Sequence, residues 1–166
     1  MALERVSSDV LQSKEHSHVV ILFGNNDCWF AENGQSRISQ QQFGVNVLKL
    51  VELISLNGQV PILCNLQPID NEKFFAAYPD YIKYRDLHGL DPRDWQKRYS
   101  DELEAVALKQ GVTLIDIRSS LLDTIEDVMS RDGIHPNNIG HRIIAREILK
   151  TLARFDGTMA GHLELP

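Results

Sequence analysis

The chain has 166 residues, 43% of them apolar and 24% charged, with a net charge of −6. This is one domain's length with enough apolar residues for a core, which excludes a disordered chain. The acidic balance excludes broad binding to nucleic acid or to anionic membranes, which needs a basic face.

Residues 2–15 place Leu3, Val6, Val10 and Leu11 at helical spacing and predict a short amphipathic helix. This stretch lacks the basic-then-apolar order of a signal peptide, and no apolar run reaches the ~18–20 residues that span a bilayer. The expectation is a soluble, cytoplasmic chain. Residues 18–23 are continuously apolar after His18 and predict a strand buried on both faces, as in a parallel sheet. Gly24, Asn25, Asn26 and Asp27 follow at its C-terminal end, where open α/β sheets put their ligands.

A helix is predicted from about Ser36 to Asn57, with Phe43, Val47, Leu50, Val51 and Ile54 as its apolar stripe and Gly58 as its stop. Residues 60–66 form the second predicted strand, with Pro61 tolerable near its start. Residues 67–90 are mixed and rich in aromatics (Phe74, Phe75, Tyr78, Tyr81, Tyr84). A long insertion of this kind serves function or forms a lid, with some helix within it. The aromatics either shape a pocket or pack the insertion. Asp91 and Pro92 mark a helix start, and Trp95, Tyr99, Leu103, Val106 and Ala107 mark its buried face up to Gly111.

Residues 112–117 are the third strand, and Leu121, Leu122 and Ile125 belong to a short helix. A loop carries Asp132, Gly133, Ile134, His135 and Pro136. Asn137 or Asn138 then caps a last helix with Ile139, Ile143, Ile144, Ile148, Leu149 and Leu152 facing inward. The tail 156–166 has no clear pattern. The alternation of helices and strands implies an α/β fold, a three-layer α/β/α parallel sheet with right-handed crossovers.

Two segments carry chemistry. In D-x-x-H-P, the Asp132 carboxylate can hold one ring nitrogen of His135 and leave the other free to take a proton from a nucleophile. Gly133 permits the turn between them, and the competing reading is a solvated surface loop. G-x-N-D, formed by Gly24, Asn26 and Asp27, ends a buried strand, where the structural alternative is an Asx turn. Cys28 and Cys64, beside or within apolar runs, are read as buried free thiols of a reducing compartment, and Cys28 as a small buried hydrophobe rather than a substitute nucleophile. His16 and His18 have no carboxylate or cysteine at ligand spacing. His88 is solvated or lines a pocket, and His141 and His162 are expected at the surface.

In order and context, G-x-N-D and D-x-x-H resemble the third and fifth motifs of the SGNH (GDSL-type) hydrolases over about residues 3–155. The resemblance implies an SGNH-hydrolase (flavodoxin-like) fold and a small acyl ester as substrate, with no metal or organic cofactor. It implies His135 as general base, Asp132 as its orienting acid and Asn26 as oxyanion donor, with Gly24 and Asp27 supporting the site. The family's G-D-S segment, which bears the nucleophilic serine, occurs nowhere in the chain. Ser7, Ser8 and Asp9 fall within a predicted helix, not at a strand end.

The chain thus resembles a single SGNH domain over 1–166 that lacks its N-terminal third, with the nucleophile unknown. In the family the serine strand lies beside the G-x-N-D strand, and its absence would leave residues 19–23 as an open apolar edge. That edge is expected to pair with another chain, a second copy or a partner, or with sequence upstream. Three functions compete: an ester hydrolase represented without its serine, a non-catalytic SGNH-fold binding module, and one subunit of a split hydrolase.

Overall fold

The structure, a computed structural model, describes residues 2–13 and 15–155. The tail 156–166, with His162, lies outside them. The helices are α1 (Ala2–Val6), running into a π-helical turn at Ser7–Leu11, then α2 (Gln40–Leu56), α3 (Asn71–Ala77), α4 (Ile82–His88), α5 (Pro92–Gln110), α6 (Ile117–Leu122), α7 (Ile125–Val128) and α8 (Asn138–Phe155). Strands β1 (His18–Ile21), β2 (Val60–Cys64) and β3 (Thr113–Ile115) form one parallel sheet in the order β1-β2-β3. Val20 pairs with Ile62, and Ile62 pairs with Thr113.

Successive strand side chains point to opposite faces, so the sheet feeds two cores. Ile21 and Leu63 are buried with residues of α1, α2 and α5, and Val19 packs against them. Ile62, Cys64 and Ile115 are buried with residues of α6, α7 and α8, and Val20 packs there. Burial on both faces explains the unbroken apolar runs of β1 and β2. The three-layer α/β/α architecture is as expected.

Boundaries differ for local reasons. The second helix begins at Gln40, not Ser36, because Ser39 is its N-cap, its hydroxyl accepting from Gln42 N at 3.2 Å. Residues ahead of it turn back on themselves, with Ala31 N bonded to Gln35 O at 2.8 Å. The third strand ends at Ile115 because Asp116 caps α6, accepting from Ser119 N at 2.9 Å. Ile139 and Leu149, expected inside, are 54% and 47% exposed. Each is five residues from the buried Ile144, which at 100° per residue puts it about 140° around the helix.

The insertion 67–90 folds as α3, a 3-10 turn at Pro79–Tyr81 and α4. Ile69, Phe74 and Ile134 form a third core with Trp29, Phe75 and Tyr81 packed on it. That cluster ties the insertion to both motif-bearing loops. β1 lies at a sheet edge. An apolar groove of about 280 Å³ runs between it and α1, lined by Val6, Val10, Val19, Ile21, Phe23 and Ile54.

Candidate active site

Parallel strands bring the segments after β1 and β2 and the start of α6 to one edge of the sheet. The loop after β1 turns at Gly24, whose φ of +133° suits glycine and where a Cβ would lie 2.6 Å from Phe43 Cζ. Asp27 N closes the turn onto Gly24 O at 3.0 Å. Asn26 is exposed and lines the cleft beyond the sheet edge. Asp27 also lines it, and burial raises its carboxyl above the ordinary value, a backbone hydrogen bond opposing.

The second segment is a tight loop after α7. Ser130 N bonds His135 O at 2.8 Å, and Met129 bridges Pro136. The turn requires Gly133, at φ +72°, where a Cβ would meet Asp70 O at 2.5 Å and Phe74 N at 2.6 Å. Asp132 Oδ1 accepts from the amides of Ile134 (2.9 Å) and His135 (3.0 Å). Its Oδ2 lies 2.7 Å from His135 Nδ1. The aspartate is thus fully committed to the histidine and its loop. Partial burial opposes ionisation of Asp132, but the hydrogen bonds from His135 and the two amides outweigh it and hold the carboxyl below its ordinary value. The His135 ring is 69% exposed at the cleft, against 28% for Asp132. Asn137 starts α8, its side chain accepting from Ile139 N at 2.8 Å.

The cleft has a volume of about 480 Å³ and brings Asn26, Asp27 and His135 together. Trp29, Gln67, Tyr78 and His141 also line it. His141 is exposed, as expected, and its exposed side chain borders the cleft. Among the described residues no serine, threonine or cysteine lines it. Cys28 is 4% exposed and donates to Asn25 O at 3.0 Å. Burial pushes its thiol up to about 12, so at neutral pH it is a protonated structural group, not a nucleophile.

His18 and His88 fall outside the cleft. His18 Nδ1 is 2.8 Å from Ser17 Oγ, and its ring stands 4.7 Å from that of Phe155. His88 stacks on Phe30 at 4.5 Å. Most of the insertion's aromatics pack on one another; Tyr78 reaches the cleft, edge-on to Trp29 at 5.7 Å. Trp29 was traceable in principle, three residues after Asn26 on the same loop. Gln67 had no signal beyond following a strand.

The sequence matches the GDSL-like Lipase/Acylhydrolase family over residues 1–143. The chain belongs to this family. This GDSL-like chain is 31% identical over 118 residues, 68% of its length, to the uncharacterized lipoprotein YqeF of Bacillus subtilis (strain 168), of which it spans 47%. It therefore covers about half the length of that curated relative. Among solved structures it resembles the lipase/acylhydrolase from Enterococcus faecalis, with TM-score 0.72 and 19% identity, over 92% of this chain and 69% of that one. It also resembles the acetylxylan esterase Axe2 from Geobacillus stearothermophilus, with TM-score 0.67 and 18% identity, over 90% of this chain and 64% of that one. At these identities the likeness is one of fold. Among the described residues no helix is long and apolar enough to cross a membrane.

Proposed function

We propose that residues 1–166 form a single SGNH-type domain, the C-terminal two thirds of one, holding the base and oxyanion half of an acyl-ester hydrolase. The observation that carries this reading is the 2.7 Å contact between Asp132 Oδ2 and His135 Nδ1 at a cleft that Asn26 also lines. Asp132 fixes the tautomer of His135, leaving Nε2 to act as base. As a serine oxygen attacks the ester carbonyl carbon, Nε2 takes the hydroxyl proton. The Asn26 amide donates to the oxyanion of the tetrahedral intermediate, a contact typically worth ~10²–10³ in rate. Collapse expels the alkoxide, which receives the proton from His135. Water then hydrolyses the acyl-serine by the same transfers. Gly24 and Asp27 shape the Asn26 loop.

The serine comes from outside these residues, on a strand paired with the β1 edge; the apolar groove beside that edge supports this. That strand belongs to upstream sequence, to a second copy or to a separate subunit. The lack of serine, threonine or cysteine among the described residues of the cleft favours a second reading, a non-catalytic binding module of the same fold. The name of the curated relative, a lipoprotein, favours a lipid-anchored location over the expected cytoplasmic one.

The test is hydrolysis of p-nitrophenyl acetate by the purified chain and by the protein with any encoded upstream residues. The ester-hydrolase reading expects turnover that His135→Ala lowers at least 100-fold. Turnover that survives this change rejects the site assignment. Absence of turnover in both forms rejects an upstream or second-copy source of the serine and favours the binding module or a separate subunit.

A further inference from the structure

Beneath the Asn26 loop lies a polar chain that the composition of α5 gives no reason to expect. Gln96 is 1% exposed. Its Nε2 donates to Asn25 Oδ1 at 2.6 Å and to Gln67 O at 2.5 Å. Its Oε1 accepts from Arg118 Nη1 at 2.5 Å. Arg118 is itself 6% exposed, and its guanidinium also reaches Leu66 O at 3.3 Å and Arg93 O at 3.2 Å. Among the described residues no carboxylate forms an ion pair with it.

Burying a guanidinium against neutral acceptors is expensive, and apolar residues would pack this layer at lower cost. What the arginine provides is direction. It can only donate, so it selects Oε1 of Gln96 and turns the amide hydrogens toward Gln67 O and Asn25. Asn25 in turn must present its oxygen. With Asn25 O held by Cys28 and Asp27 N closed on Gly24 O, the residue before Asn26 is fixed at both backbone and side chain.

We propose that Gln96, oriented by the buried Arg118 guanidinium, is the positioning residue of the Asn26 loop, gripping Asn25 so that the next side chain points its amide into the cleft. This deepens the ester-hydrolase reading and rests on Asn26 as the donor to a carbonyl-derived oxygen. The device spans the sheet edge, since Arg118 opens α6 after β3, Gln67 follows β2 and Asn25 follows β1.

The experiment follows the amides by NMR in the purified chain, using acetate, the carboxylate product of the simplest acyl ester, as the probe. Gln96→Glu keeps an acceptor for Arg118 and removes the hydrogens that Asn25 Oδ1 and Gln67 O need. We expect backbone amide exchange at Asp27, whose N–H is bonded to Gly24 O, to quicken at least about fivefold while exchange in the middle of α5 is unchanged. We expect acetate to shift the Asn26 side-chain amide in the wild type and to bind at least about fivefold more weakly to Gln96→Glu. Asn25→Asp retains the acceptor and is expected to lose less protection and less acetate affinity than Asn25→Leu. This pair tests the same bond should Gln96→Glu not fold. Unchanged exchange and affinity in Gln96→Glu, or Asp no better than Leu at 25, overturns the proposal. An Asn26 amide that ignores acetate in the wild type rejects instead the donor role on which the proposal rests.

Discussion

Gly133 and Asp132 set the position of the His135 ring from opposite sides. A methyl group at 133 would stand 2.5 Å from Asp70 O and 2.6 Å from Phe74 N, both backbone atoms that cannot swing aside. Gly133→Ala should therefore lose about 1–2 kcal/mol to the left-handed backbone and about 1–3 kcal/mol to overpacking, read as a lower urea midpoint. Asp132 predicts a pH dependence. Its carboxyl lies below its unfolded value, because the bonds from His135 and two amides outweigh partial burial. Its stabilisation is thus complete above the unfolded carboxylate range and is lost as pH falls through the folded value. The urea midpoint of the native chain should exceed that of Asp132→Asn at neutral pH, the gap closing in acid. A gap that persists in acid would contradict the assignment.

At the scale of elements, caps rather than propensity set the boundaries. Ser39→Ala should cost about 1 kcal/mol by removing the bond to Gln42 N, with Ser39→Asp close to native in thermal unfolding. The strands and long helices were legible because burial on both sheet faces writes apolar runs, and a buried helix stripe writes a 3.6-residue period. The two motifs were legible because turn and dyad demand particular residue types at fixed short spacing. The insertion was not. Its aromatics satisfy one another across loops, as in the edge-on pair of Trp29 and Tyr81 at 5.1 Å, and such pairing has no period. Gln96 and Arg118 were invisible for a related reason: polar residues in a helical pattern read as a solvated face, and only tertiary structure buries them. Ile139 and Leu149 err the other way, being apolar residues that the helix turns outward.

For the molecule as a whole, the edge position of β1 is what the proposed covering strand would change. In a parallel strand alternate amides point to the two sides, so half of those in β1 serve β2 and half face the edge. If a second copy covers the edge, both sets should exchange at similar rates, and the chain should sediment above monomer mass. A monomer whose edge-facing amides exchange freely would leave β1 without its strand. The insertion has a separate consequence. Tyr78, at the end of α3, forms part of the cleft wall, while the start of that helix abuts Gly133, with Asp70 N bonded to Gly133 O at 2.9 Å. Lys73 donates from the same helix to Met129 O at 3.0 Å and also to Glu126 O. One short helix therefore touches both what the cleft can accommodate and where the imidazole sits. Under the proposed ester-hydrolase reading, grafting a different 67–90 segment to change selectivity would also move the His135 ring, so altered preference and altered turnover should arrive together.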